Sequence, residues 1–442
     1  MLTDTSILKV QERSIEAIGY LERIRKFNLY YLAFVSFVVA YGRFFQLGGV
    51  TSGKHPENLL IIPILLTLYL IKYEKGYKWP ITYREKILAV YAVFISLMPF
   101  WGLYLDRSLD ALRDFWGAAA FGILIMYIVR DVRELKILVF FFLFGSVIRG
   151  AVNGFEFSQT MIPAALPFRS QNGYAHFMLG PLALLFGLTV YFKVNRLKQI
   201  GLSIAFVTLF SALLATMARA PLFAFLFSIA LFSVIFNRKA AILVFSVIVL
   251  ISASVYLFSN SAIPQRIKSA KWEDVSLQTR IKGLWPAAIA VYKDHNPVWG
   301  IGSGGFTRKL TTDERYKSLA IAGGQEAELP IMHTHNEFLQ VLVTQGIIGA
   351  LVYLFFIFQI CFLSWKVFTS STDAFLKAIG FSGLIWIIGH CIAGIVHHEL
   401  LDSRSDMGLA LMVSIIMISY YSLQQLNIQG LKPRCSKGDS LA

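Results

Sequence analysis

The sequence predicts an all-α, polytopic membrane protein of about 12 spans with one large polar loop late in the chain. Composition is the first reason. Hydrophobic residues are 56% of the 442 positions, aromatics 14% and charged residues only 15%, with mean hydropathy +0.61. Apolar runs are the second: stretches near the roughly 20 residues that a helix needs to cross a bilayer recur along the chain. The third is charge placement. With both termini in the cytoplasm, Arg23, Arg25, Lys72, Arg130, Lys136, Arg196 and most other Lys and Arg flanking the spans fall on the inner side. The formal charge of +15 is therefore largely a topological signal, not the footprint of a nucleic-acid partner.

Taken in order, the spans are expected at 28–47, 58–73, 87–105, 113–129, 135–149, 172–192, 199–218, 221–236, 240–258, 338–365, 376–397 and 406–424. The chain then divides into a cytoplasmic segment 1–27, a bundle of about nine helices over 28–258, an outer loop 259–337, further spans over 338–424 and a tail 425–442. Residues 338–365 exceed one straight span and are expected to break near Gly346 and Gly349. Residues 7–26 alternate Ile and Leu with charges, which fits an amphipathic surface helix or a partly ordered tail. The N-terminus lacks the compact apolar core of a signal peptide, so the first membrane helix is expected to direct insertion. Cys361 and Cys391 lie in apolar runs and Cys435 in the tail, which indicates no disulfide framework and no cysteine metal site.

Ionisable residues at a membrane boundary are costly and mark sites. The densest cluster is His333-Thr334-His335-Asn336-Glu337, where the outer loop re-enters an apolar helix. An imidazole there can accept a proton near neutral pH, cap a helix or ligate a metal. An H-x-H pair diverges on a helix and no further ligand has recognisable spacing, so proton chemistry or substrate contact is preferred to metal. Arg219, just before Pro221, stands at an outward helix N-terminus, where it makes an anion site or snorkels to headgroup phosphates. Arg280 opens an amphipathic stretch of the outer loop, and a guanidinium grips phosphate oxygens bidentately. Gly300 to Gly305 fits G-x-G-x-x-G, but no βαβ unit surrounds it; a tight turn for close backbone approach to a ligand or helix is expected. Arg169, ahead of Asn172 and His176, contacts a sugar or headgroup or belongs to a helix cap followed by a buried histidine. His397, His398, Glu399, Asp402, Arg404 and Asp406 form a salt-bridged turn or line the same cavity, and His390 reads as a hydrogen bonder of the bundle interior.

These motifs resemble the O-antigen ligase family. Its pattern of His, a polar amide or hydroxyl residue, nine residues, Gly, two residues and a small residue is met by His335-Asn336 and Gly346-Ile347-Ile348-Gly349. Pro297-Val298-Trp299-Gly300-Ile301-Gly302 resembles the family's Pro-x-x-Gly-x-Gly, with Arg280 and Arg219 at its arginines, although Met217-Ala218 replaces the more usual Ser. The resemblance implies a fold like that of the GT-C glycosyltransferases and an active site on the periplasmic face of the bacterial inner membrane. It implies transfer, with inversion, of a glycan from undecaprenyl pyrophosphate to lipid A–core, among membrane lipids and without cofactor or metal. His335 would be the general base and Arg219 and Arg280 would stabilise the leaving pyrophosphate. His333, Asn336, Glu337, Arg169 and Arg404 would contact substrate. A polymerase of the same superfamily is the nearest alternative, and a lipid or glycan transporter the alternative of another class.

Overall fold

The computed structural model describes residues 4–41, 46–47, 50–51, 56–73, 85–160, 162–164, 171–236, 242, 278–322, 333–398 and 403–431. Its regular structure is helical apart from a two-residue antiparallel pairing of Gln46–Leu47 with Val50–Thr51. The first half contains α1 (Asp4–Tyr41), α2 (Ile61–Tyr73), α3 (Glu85–Leu97), α4 (Leu105–Ile128), α5 (Val132–Thr160), α6 (Gln171–Tyr191), α7 (Arg196–Ala215) and α8 (Arg219–Phe236). The polar loop contributes a π-helical turn Thr279–Leu284, then α9 (Trp285–Asp294), α10 (Gly305–Thr312) and α11 (Glu314–Ile321). The chain continues through α12 (Glu337–Ser370), α13 (Ala374–Gly394) and α14 (Ser403–Leu431).

Among the described residues, 8 helices are long and apolar enough to cross a membrane: α4 to α8, α12, α13 and the Asp406–Leu426 part of α14. Asn58–Tyr73 and Val90–Phe100 are shorter apolar helices. The first expected span is the end of a single 38-residue helix that also contains the amphipathic stretch 7–26. The expected ninth span, 240–258, lies outside the described residues except for Ile242. The expected break in 338–365 is present: Gly346 leaves helical geometry at φ 68° and ψ −172°.

The centre of the bundle is α6, α13 and α14, whose side chains are mostly buried. Small residues let these helices approach: a Cβ at Gly187 of α6 would meet the Ala378 carbonyl of α13 at 2.6 Å. Around that centre, Phe140, Val207, Phe223, Leu351 and Phe358 are exposed, an apolar belt suited to lipid. Arg25 and Lys136, two of the basic side chains anticipated on the inner side, lie at one end of the bundle. There Arg25 donates to Glu134 at 2.7 Å and to the Ile128 carbonyl at 2.8 Å, and Lys136 lies over the Phe375 ring at 5.2 Å. The polar loop covers the opposite end. It has a small core of its own, with Leu284, Val291, Phe306, Leu310 and Tyr316 packed together against Val343 of α12.

Candidate functional site

A backbone seam joins the polar loop to the break in α12. Breaking a helix leaves carbonyls and N–H groups without intrahelical partners, which is costly where water is scarce. The loop supplies them. Ile301 and Gly302 donate to the Val343 and Thr344 carbonyls at 3.0 and 2.9 Å, while Ile347 and Ile348 donate to the Pro297 and Val298 carbonyls at 2.9 and 3.3 Å. The chains can approach because Gly300 and Gly346 have no side chain: a Cβ on Gly300 would stand 2.5 Å from the Thr344 carbonyl oxygen, and one on Gly346 would overlap the Val298 carbonyl. The same loop holds the start of α4, with Leu103 donating to the Ile301 carbonyl at 2.9 Å and Trp101 Nε1 to the Trp299 carbonyl at 2.9 Å. The glycine cluster thus serves approach to other helices, one of the two uses its composition predicts.

The segment His333–Asn336 stands on this framework. Trp285 Nε1 donates to the Thr334 carbonyl at 3.0 Å, and the Thr334 N–H donates to Gln340 Oε1 at 3.0 Å. Asn336 is the N-cap of α12, its side-chain oxygen accepting from the Leu339 N–H at 2.9 Å. Its carbonyl oxygen therefore serves the helix, a different task from the substrate contact the resemblance implies for it. His335 has φ 51°, left-handed geometry that a histidine tolerates better than most residues. This turn corrects the expectation that the H-x-H pair diverges on a helix. Both residues precede the helix, and their ring centroids are 4.2 Å apart. The His335 N–H donates to His333 Nδ1 at 3.2 Å, which puts the proton of neutral His333 on Nε2.

Two histidines beyond α13 complete the group. The His333 ring centroid lies 5.2 Å from that of His398 and 5.9 Å from that of His397, and His335 lies 6.1 Å from His397. Arg280 reaches the same turn, with Nη1 donating to the Val396 carbonyl at 2.9 Å. Burial, then the neighbouring His398, His335, His397 and Arg280, hold His333 well below the usual histidine range. The structure therefore joins His333, His335, Arg280, His397 and His398 in one cluster.

Glu337 points elsewhere. It is 1% exposed and faces the bundle interior, where Tyr353 donates to Oε1 and His390 Nε2 lies 2.9 Å from the same oxygen. His390 Nδ1 in turn lies 2.8 Å from His176 Nε2. His176, Glu337 and His390 are also the group of described residues close enough to hold a metal ion, with ligand atoms within 4.8 Å of one another.

Arg219 is the first residue of α8, after a turn in which Met217 takes φ 58°. Thr216 Oγ1 accepts from the Ala218 N–H at 3.1 Å, so a hydroxyl one position before the departure Met217-Ala218 makes the local backbone contact. α8 packs on α13 through Ser228 and Ala224 beside Gly389, while Phe236 at the end of α8 meets Phe368, which lies against Gly380 nearer the start of α13, so the two helices run in opposite directions. That places the start of α8 at the end of the bundle where α13 gives way to His397. Arg169 lies outside the described residues, as do Glu399 and Asp402, and the Arg404 side chain is likewise outside them. Sequence reasoning missed the partnership of His176 and Tyr353 with Glu337; the ionisable groups inside apolar helices were the available signal.

An apolar helical bundle whose polar loop seats histidines and an arginine at one end is the architecture of a polytopic membrane protein. The family model described as O-antigen ligase matches residues 204–354, from within α7 to within α12. The matched stretch includes Arg219, Arg280, His333 to Glu337 and both halves of the backbone seam. No curated protein matches the chain.

Proposed function

We propose that this protein is an inverting, metal-independent glycosyltransferase, an O-antigen ligase. It moves a glycan from undecaprenyl pyrophosphate to a sugar hydroxyl of lipid A–core on the periplasmic face of the inner membrane. The observation that carries this reading is the cluster of His335, His333 and Arg280 at one end of an apolar bundle, inside the stretch that matches the family. His335 takes the proton from the acceptor hydroxyl as its oxygen attacks the anomeric carbon. The bond from that carbon to the pyrophosphate oxygen breaks with its electron pair, and Arg219 and Arg280 stabilise the charge gathering on the departing phosphate. The donor linkage already holds the free energy of transfer, so positioning and charge stabilisation suffice, without nucleotide or metal.

The test is purified protein in liposomes, given lipid-linked glycan and lipid A–core in chelator, with the product read by mass. Glycosylated lipid A–core is the expected product. Extension of a second lipid-linked glycan alone would make the protein a polymerase, and dependence on one added metal would withdraw the general-base role. For orientation, Ser318 is exposed on α11, and Ser318→Cys should react with an impermeant thiol reagent applied from the periplasmic side. Protection there, with labelling of a cysteine placed at Lys78, would invert the topology.

A further inference from the structure

The residues that hold Glu337 form a continuous chain through three helices: Tyr353 and Glu337 on α12, His390 on α13 and His176 on α6. Glu337 Oε1 receives two donors, so His390 Nε2 carries a hydrogen. The 2.8 Å separation of His390 Nδ1 from His176 Nε2 is an N–H···N hydrogen bond, with one nitrogen the donor and the other the acceptor. All four residues are buried, His390 at 6% and His176 at 4% exposure. A carboxylate in such a place is stable only with a compensating charge. Glu337 is also the first residue of α12, two positions from His335, and a Cβ at Gly394 of α13 would stand 3.3 Å from Glu337 Cβ. The far end of the chain returns to the boundary site, since the His176 ring centroid is 6.1 Å from that of His397.

We propose that Tyr353, Glu337, His390 and His176 are a buried positioning chain in which the two histidines share one extra proton as counter-ion to Glu337. The chain thereby holds the His333–Asn336 segment, and with it His335, in working geometry. This rests on the transferase reading above. A metal is the competing occupant of the same three side chains. Two nitrogens both bound at about 2.0–2.1 Å to one tetrahedral ion stand more than 3 Å apart, whereas these stand 2.8 Å apart. Among the described residues, the other ionisable groups facing the chain are Cys391 on α13, Tyr91 on α3, Asp406 on α14, and His397 and His398 beyond α13. Tyr91 and Asp406 lie on the Tyr353 side, so the histidine pair is the place where a positive charge answers Glu337.

The experiment reads kcat and donor KM against pH for His390→Gln, Glu337→Gln and Tyr353→Phe, each confirmed monodisperse. Glutamine at 390 can still donate to Glu337 and accept from His176 but cannot hold the proton. His390→Gln and Glu337→Gln are expected to lower kcat about tenfold or more with little change in KM, and to remove one ionisation from the pH profile of kcat. Tyr353→Phe, which keeps volume and loses one donor, should lower kcat less and retain the ionisation. Wild-type kcat and profile in His390→Gln would overturn the chain, as would equal activity in His390→Phe, since packing alone would then suffice. Nitrogen-15 histidine resonances of the protein in lipid supply a readout independent of turnover. An imidazolium signal at pH 7.5 that disappears in Glu337→Gln is expected, and neutral rings throughout in the wild type would overturn the proposal. Stoichiometric metal in the purified protein, absent from Glu337→Gln, would make these residues ligands and overturn it too. If the wild type transfers glycan to no acceptor while the imidazolium signal behaves as expected, the transferase reading falls and the shared proton stands.

Discussion

Gly346→Ala tests the seam between the polar loop and α12 directly. The native conformation, φ 68° and ψ −172°, lies in a region essentially reserved for glycine, and holding an alanine there costs about 1–3 kcal/mol. The new methyl would also overlap the Val298 carbonyl, so the loop must withdraw. Withdrawal sacrifices the bonds from Ile347 to Pro297 and from Ile348 to Val298, now 2.9 and 3.3 Å long, each contributing about 1 kcal/mol net. The total is about 3–5 kcal/mol, a large part of the stability of an ordinary domain. Intrinsic tryptophan fluorescence during a thermal ramp of detergent-purified protein suits the test, since Trp285 and Trp299 lie beside the seam. Membrane proteins often unfold irreversibly, so variants are compared at one scan rate. Gly346→Ala should melt several degrees lower and lose most transfer activity. Gly154→Ala in α5, where an added Cβ meets nothing within 4 Å, should melt at or above the wild-type temperature. A Gly346→Ala protein that melts within about 1 °C of wild type and transfers normally would refute the seam.

Three further outcomes are expected. His335→Ala should lower transfer about 10²–10⁴-fold with unchanged protein abundance, and His333→Ala should cost less; near-normal initial rates in His335→Ala would remove it as the base. Arg219→Lys and Arg280→Lys keep the charge but lose the planar fork, so both should be clearly less active than wild type; strong activity in Arg280→Ala would take Arg280 out of the site. The depressed pKa of His333 makes a signed prediction about stability. The folded state binds this proton more weakly than the unfolded state does, so the contribution is fully present above the unfolded value of about 6.5 and is lost as pH falls through the folded one. His333→Gln should therefore melt with a shallower dependence on acidic pH than wild type; an unchanged slope would exclude His333 from that dependence.

Much of the fold was legible because each apolar helix carries its own signal in a run of residues. The break in α12 was legible too, since a glycine pair inside an overlong span has few other uses. The pairing of distant polar groups was not. His390 reads as an interior hydrogen bonder from its place in an apolar helix, but nothing local names His176, 214 positions away, as its partner. The closeness of His333 and His335 was hidden for a related reason. Helical spacing makes an H-x-H pair diverge, yet Asn336 is the cap, so helical spacing begins only after the pair. The glycine cluster shows why a short pattern can point to two functions. A nucleotide loop and this loop share one physical need, to bring bare backbone against hydrogen-bonding groups of another body. In a phosphate site those groups are anionic oxygens. Here they are the carbonyls and N–H groups that α12 exposes by breaking at Gly346, and the glycines on both sides form a single contact written in two places in the sequence. The family's two short motifs therefore need each other. Pro297–Gly302 has no partner without the break, and the break is not tolerable at a membrane boundary without Pro297–Gly302, so a substitution on either side should be read as damage to the platform under His335 before it is read as loss of a substrate contact.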